Sequence, residues 1–105
     1  MAVGKRVGAG LTPENVALPG LDFKIAFILS YEGDPLAELA YVDKTGAPVL
    51  FCIIANKGAD APAQTQTREA LSLASWSHNG RGYLVIGGQP KQQVAEFART
   101  LETRF

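Results

Sequence analysis

The sequence predicts an α+β domain in which a five-stranded, mainly antiparallel sheet carries one C-terminal amphipathic helix on one face. Five strand-like runs lie between residues 23 and 87, and turn-forming residues separate them. A single run with the 3.6-residue period of an amphipathic helix follows. Residues 1–21 mix Gly, Pro and small apolar residues without a sustained period. They are therefore predicted to form an irregular N-terminal arm ahead of a single domain at residues 22–105.

The composition is that of an ordinary globular chain. Its 105 residues are 47% hydrophobic and 19% charged, which argues against a disordered or fibrous protein. Ten Lys and Arg residues balance ten Asp and Glu residues, so no basic surface is expected to bind nucleic acid. The longest nearly apolar run, residues 48–55, is much shorter than the ~20 residues of a membrane helix. We therefore expect no direct contact with nucleic acid and no membrane segment in this chain.

The first three strands are predicted to form a meander. Residues 23–31 place apolar side chains at every second position, and the turn-forming residues 32–35 end this run. A second run at 36–42 is joined to a third at 48–55 by an Asp-Lys-Thr-Gly sequence that suits a tight turn. The third run is apolar on both alternating sets of positions, which is typical of a central strand covered on both faces.

The second half of the sequence predicts an exposed loop, a hairpin and the helix. Residues 57–68 have neither an apolar period nor aromatic anchors, so we expect an exposed loop and the segment most prone to disorder. Residues 71–77 and 82–87 flank His-Asn-Gly-Arg, and Asn-Gly between two strand-like runs predicts a hairpin turn. Beyond Pro90, apolar residues recur on one side of a predicted helix at Val94, Phe97, Ala98, Leu101 and Phe105.

A single helix covers a single sheet face, so the opposite apolar face has no second helix to cover it. Either the arm of residues 1–21 or a second copy of the chain has to shield that face from water. The Gly and Pro content of the arm favours the second copy. We therefore expect a homodimer, in contact through the face opposite the C-terminal helix or through an exposed edge strand.

Few residues are candidates for chemistry. His78 is the only histidine and has no Cys, Asp or Glu at ligand spacing, which favours a solvated turn residue. Cys52 lies in the most apolar strand, where burial raises a thiol pKa and favours a structural role. Glu32, Asp34 and Glu38 are compatible with a cation or general-acid site. Carboxylates at turns are common, however, and the first two are expected in a turn.

The hairpin region contains further residues with chemically useful side chains or backbones. Its glycines lack the G-x-G-x-x-G spacing of a phosphate-binding loop, and its serines lack a G-x-S-x-G elbow. Trp76 is interpreted as a core anchor rather than an interface anchor. No catalytic, cofactor-binding or metal-binding residue is predicted, no cofactor is expected, and the chain is not expected to be an enzyme. The glycines and serines concerned are Gly80, Gly82, Gly87, Gly88, Ser72, Ser75 and Ser77.

Residues 71–88, LSLASWSHNGRGYLVIGG, together with residues 92–101, QQVAEFARTL, resemble the C-terminal end of transmembrane anti-sigma factors of proteobacteria. In that family a strand ending in Trp is followed by a Gly-containing turn, a strand with an aromatic and aliphatic residues, and a short helix. Residues 34–41 and 48–51 look like the preceding hairpin of the family. The resemblance covers residues 34–101, which is most of the predicted fold.

The resemblance implies a sensor or regulatory extracytoplasmic domain of an anti-sigma factor, which controls transcription through a sigma factor. It implies the periplasmic side of the inner membrane, with a regulatory protein or small-molecule signal as partner; without it, a cytoplasmic location is expected. The sequence lacks the His-x3-Cys-x2-Cys zinc pattern, the helical sigma-binding segment and the membrane span of that family. It is accordingly either the extracytoplasmic part of such a protein or a stand-alone relative. The alternative function is a stand-alone small-ligand-binding or protein-interaction domain.

Overall fold

The described residues form a six-stranded antiparallel sheet with helices on one of its faces. The structure is a computed structural model and describes residues 1–55 and 58–105. Its helices and strands, in chain order, are α1 (Ala2–Val7), α2 (Pro13–Val16), β1 (Asp22–Tyr31), β2 (Asp34–Val42), β3 (Pro48–Ala55), β4 (Ala61–Arg68), β5 (Leu71–His78), β6 (Arg81–Gly87) and α3 (Lys91–Glu102).

The sheet consists of two three-stranded meanders that join edge to edge. The strand order is β1-β2-β3-β6-β5-β4, and every neighbouring pair is antiparallel. β3 and β6 therefore form the middle of the sheet, while β1 and β4 are its edges. The predicted α+β class, antiparallel sheet and C-terminal helix are confirmed.

The prediction of five strands is wrong, because residues 61–68 of the predicted loop form the edge strand β4. Every residue of β4 is exposed, and its polar Gln and Thr side chains give no hydrophobic alternation. The strand is held by antiparallel pairing with β5, in which Thr65 is opposite Ala74 and Thr67 is opposite Ser72. β-branched Thr side chains suit this extended backbone. Residue 57 of the predicted loop lies outside the described residues.

The N-terminal residues predicted to form an irregular arm contain α1 and α2 and pack against the sheet. α2 begins with a capping box, because Thr12 accepts a hydrogen bond from the Asn15 amide and the Asn15 side chain accepts one from the Thr12 amide. Pro13 at the first helical position fits the same start. Apolar side chains of this segment are buried in the core at Val7, Ala9, Leu11, Val16 and Leu18.

Two arginines from the C-terminal half of the chain hold the ends of the N-terminal helices. The Arg81 guanidinium donates hydrogen bonds to the carbonyl oxygens of Val7, at 3.2 Å, and Gly8. Arg104 donates to the carbonyl oxygen of Ala17 at 2.6 Å. Both cations therefore lie where a helix has carbonyls without partners and the negative end of its dipole. They tie α1 and α2 to the rest of the fold.

The core lies on one face of the sheet, which we call the covered face. α3 packs over β4, β5 and β6, whereas α1 contacts β1, β2 and β3. The strand residues that point to these helices alternate with exposed or half-buried residues, as expected for a sheet with one buried face. The buried strand residues are Ala37, Leu39, Tyr41, Val49, Phe51, Ile53, Ser72, Ala74, Trp76, Tyr83, Val85 and Gly87.

The prediction that β3 is covered on both faces is correct for only one of them. Phe51 and Ile53 point to the covered face and are fully buried. Leu50, Cys52 and Ile54 point to the opposite face and are only half-buried. The predicted central position of β3 is nevertheless observed, because it lies between β2 and β6. The arm does not supply the second cover, since α1 and α3 share the covered face.

Candidate functional site

His78 is tied to the carboxylate of Asp60 at the β5–β6 turn. The His78 Nδ1 atom lies 2.9 Å from Asp60 Oδ2, and the Asn79 amide donates to Asp60 Oδ1 at 3.1 Å. Both side chains are largely exposed. The hydrogen bond from His78, followed by that from Asn79, holds the pKa of Asp60 below its ordinary value. This arrangement fixes the turn, and within residues 1–55 and 58–105 it brings no third metal ligand to the histidine.

Cys52 lies on β3 with its side chain on the face opposite the helices. Its Sγ atom donates a weak hydrogen bond to Glu38 Oε1 on β2 at 3.9 Å. Burial, together with the nearby Glu38 carboxylate, raises the pKa of the Cys52 thiol to about 12. The thiol is therefore protonated at neutral pH, which suits a packing role rather than nucleophilic catalysis.

The acidic set is divided between a turn and a strand. Glu32 lies in the β1–β2 turn with a positive φ of 50°, and Asp34 begins β2. Glu38 lies four residues further along β2, a distance of about 13 Å in an extended strand. Within residues 1–55 and 58–105, no group of three or more His, Cys, Asp or Glu side chains is arranged to hold a metal ion.

Trp76 belongs to an aromatic stack in the core. It is 3% exposed, and its ring lies 5.0 Å from that of Tyr83 in a near-parallel arrangement. Phe51 and Phe105 extend the stack, with centroids 6.2 Å from Trp76 and 6.0 Å from Tyr83, respectively. Phe105 therefore packs on the aromatic side chains of β3 and β6. Trp76 is a core residue, as the sequence suggested.

The remaining candidate site is the sheet surface opposite the helices, which we call the open face. Its side chains come from alternate positions of five strands, and none of the described helices packs over it. Ile25, Leu29 and Tyr31 are 55%, 45% and 51% exposed. Its apolar residues are Ile25, Phe27, Leu29, Tyr31, Leu36, Ala40, Val42, Leu50, Cys52, Ile54, Leu71, Leu73, Leu84 and Ile86.

Charge is scarce on the open face. Glu38 places one carboxylate inside the apolar surface, next to Cys52 and opposite Phe27 on the edge strand. Polar residues gather on β4, where Gln64, Gln66 and Arg68 follow the same side of the sheet. A large apolar surface with a polar border is typical of a protein-contact site rather than a solvated surface.

The open face contains a shallow depression of about 500 Å³, which we call the hollow. Gly82 and Ser77 form its floor because their small side chains leave space above β6 and β5. Leu36, Ile54 and Tyr31 form the wall on the side of β1–β3. The hollow is therefore a concave apolar site at one end of the open face.

No protein-family model matches the chain, and a search of curated proteins finds no significant match. None of the helices in the described ranges is both long and apolar enough to cross a bilayer. The sequence predicted the open face only as an uncovered side of the sheet, and its exposed apolar residues make it the candidate functional site. Its alternating apolar positions on β1, β3 and β6 were the sequence signal for it.

Proposed function

We propose that this chain is a non-enzymatic regulatory domain that acts by protein contact through its open face. The proposal is carried by one observation, the apolar surface of five strands that none of the described helices covers. Monomeric soluble proteins rarely leave such a surface to water, and contiguous apolar patches mark sites of protein contact. The function thus depends on what occupies this face.

The proposed setting is an anti-sigma factor, in which the chain is the extracytoplasmic sensor or regulatory domain. Support comes from the resemblance of residues 71–88 and 92–101 to that family, because these residues fold as one unit of β5, β6 and α3. In this setting the domain lies on the periplasmic side of the inner membrane. Occupancy of the open face then controls transcription through a sigma factor bound by another part of the protein.

A homodimer is the proposed resting state. Two-fold self-association is the commonest way in which soluble chains bury a self-complementary surface. The open face offers a larger contact than the free edge of β1, which adds one row of backbone hydrogen bonds. A regulatory protein or small-molecule signal acts in this scheme by competing for the open face or by changing the dimer contact.

The absence of catalysis is proposed from the state of the reactive side chains. Cys52 has a raised thiol pKa, and the described contact of its sulfur is a weak 3.9 Å hydrogen bond to Glu38, which further disfavours the thiolate. His78 lies at the end of β5 in an exposed turn, where it is held by Asp60. A nucleophile, its base and an orienting third group are not brought together among the described residues.

The hollow favours a second candidate function, a stand-alone domain that binds a small apolar ligand. Its volume of about 500 Å³ falls in the range of ligand pockets, and Gln64, Ser75 and Ser77 supply a few polar groups. A ligand raises the melting temperature of the protein that binds it, so a thermal-shift screen of neutral apolar compounds tests this function. Ser77→Trp, which fills the hollow, should abolish any stabilisation found.

Introducing a charge into the centre of the open face tests the regulatory function in cells. Leu84→Arg changes a half-buried residue of β6 on this face, and Gln93→Arg is the matched control on the exposed side of α3. We expect Leu84→Arg, but not Gln93→Arg, to change transcription from a set of promoters that share one sigma factor. Unchanged transcription in both strains, or changes scattered over unrelated promoter classes, would contradict the anti-sigma setting.

A further inference from the structure

We propose that the open face binds a second copy of this chain face to face, about a two-fold axis that runs along the strands between β3 and β6. In this arrangement Leu36 and Ile54 of each copy fill the hollow of the other. The inference rests on the proposed function, in which the open face is a protein-contact surface. It adds the geometry of the contact, which follows from the strand register and from the sizes of the side chains.

The strand register places residues of unequal size on the two halves of the open face. One row across the sheet has large aliphatic side chains on β1, β2 and β3 and small residues on β6, β5 and β4. The hollow lies above the small half of this row. The row consists of Leu29, Leu36, Ile54, Gly82, Ser77 and Ala61.

A two-fold axis along the strands lays the large half of this row over the small half of the other copy. The axis reverses the strand order, so β3 lies over β6 of the second copy and β2 lies over its β5. Ile54 then faces Gly82, and Leu36 faces Ser77. Facing sheets pack with large and small side chains interdigitated, which is the condition this row meets.

The neighbouring rows show this complementarity at some of their positions. Across the axis, Cys52 faces Leu84 of the second copy, a small side chain over a large one. In the next row, Ala40 faces Leu73 of the second copy. The Glu38 carboxylate faces Ser75, whose hydroxyl donates hydrogen bonds. In the same rows Leu50 faces Ile86, and Phe27 and Ile25 of the edge strand face Gln64 and Gln66. Size complementarity is therefore complete in the row of the hollow and partial in the next two.

A two-fold axis at right angles to the strands is disfavoured by charge. With the axis along the row that contains Glu38, this carboxylate faces the same carboxylate of the other copy in a contact closed to water. Two like charges so placed repel and lose their hydration. Leu36 then faces Ala40, and Leu73 and Ile86 face the hollow. The hollow is thus filled by aliphatic side chains with either axis, and the strand-parallel axis is favoured because Glu38 then faces Ser75 instead of a second carboxylate.

The area of the open face is sufficient for a stable dimer. Six strands with a spacing of about 4.8 Å, each contributing roughly six residues, span about 24 Å by 20 Å. Two such faces remove on the order of 1,000 Å² from water before the corrugation of the side chains is counted. This is the range in which specific interfaces begin. The apolar lining of the open face also matches a second copy of the same face.

A double-mutant cycle at Leu36 and Ser77 tests the arrangement. Within one chain these residues lie on β2 and β5, three strand spacings or about 14 Å apart, so they do not compensate each other directly. Across the dimer they are in contact. We expect Ser77→Leu and Leu36→Ala each to weaken dimerisation about tenfold or more, because each change acts at two symmetric positions. If the two single effects were independent, they would multiply. The double variant should instead dimerise at least about tenfold more tightly than that product predicts.

The dimerisation constant is measured by sedimentation equilibrium, with circular dichroism to confirm that each variant is folded. Ser30→Leu is the matched control, an exposed Ser to Leu change on β1 that points to the other face. If Ser77→Leu fails to fold, Ala61→Leu with Leu29→Ala provides a second cycle in the same row.

The outcomes separate this inference from the proposed function. A folded protein that stays monomeric at high concentration overturns the inference, while transcriptional effects of Leu84→Arg would still support a contact with another protein. A dimer without coupling between Leu36 and Ser77 overturns the strand-parallel axis and leaves self-association in place. Coupling together with unchanged transcription in the Leu84→Arg strain supports the dimer and contradicts the regulatory role.

Discussion

Replacing Tyr41 by Phe tests whether the N-terminal helices are a bonded part of the fold. The Tyr41 hydroxyl donates a hydrogen bond to the Val16 carbonyl oxygen at 2.6 Å, and the side chain is 1% exposed. Burial raises the pKa of Tyr41 above its ordinary value, so the hydroxyl keeps the proton that it donates. The substitution retains the ring and leaves the carbonyl at the end of α2 without its buried donor.

A buried acceptor that loses its partner costs about 1–3 kcal/mol of unfolding free energy. For a chain of this size that corresponds to a melting temperature lower by on the order of 10 °C. Tyr31→Phe is the matched control, because Tyr31 is 51% exposed on the edge strand and should change stability by less than about 0.5 kcal/mol. Urea denaturation measures both variants, and amide exchange should become faster in residues 1–18 of Tyr41→Phe alone. Equal stabilities of Tyr41→Phe and wild type would refute the role of this hydrogen bond.

Three further predictions concern stability. The hydrogen bond from Gln89 holds the pKa of Asp43 well below its ordinary value of 3.8. The ionised Asp43 carboxylate therefore stabilises the fold above about pH 3.8, and this stabilisation is lost as the pH falls toward the lowered pKa. Asp43→Asn should therefore flatten the acid side of a stability curve measured by urea denaturation between pH 2 and 6, and an unchanged slope would count against it. Phe97→Ala should cost about 3–5 kcal/mol, because the ring is 7% exposed in the core; a loss below about 1 kcal/mol in the same assay would contradict this. Gly4→Ala should lower the melting temperature, because a Cβ at Gly4 would overlap the Ala9 carbonyl oxygen, and calorimetry showing no decrease would exclude that conflict.

Local sequence signals predicted those parts of the fold whose backbone conformation depends mainly on residues close in sequence. The Asn-Gly pair predicted the β5–β6 turn, and the structure shows Asn79 and Gly80 with positive φ of 52° and 74°. The strand β4 was missed because an exposed edge strand needs backbone pairing rather than buried side chains, so Gln and Thr at alternate positions carry no apolar period. Its formation depends on β5, which is a tertiary effect that its own sequence does not display.

The candidate site was predicted in outline and not in position. Apolar residues on both sides of β3 indicated two faces that need cover, but a hydrophobic pattern does not say which element provides it. Packing placed the arm beside α3 on the covered face, with Val7 and Leu11 in the same core, and left the other face open. The hollow above Gly82 depends on the register between strands far apart in sequence, which no local pattern encodes.

The two arginines that hold the N-terminal helices also delay the final docking of these helices until the C-terminal half of the chain has been synthesised. Arg81 and Arg104 bind carbonyls that lie 74 and 87 positions earlier in the chain. At about 5–20 residues per second, the first helices wait on the order of ten seconds for these anchors to be translated. Until then β1–β3 can form only a three-stranded meander that is apolar on both sides, in which β3 has no β6 beside it. The unfinished chain therefore exposes apolar strand surface of the kind that chaperones bind, and this exposure should decrease once β6 and α3 are available to pack.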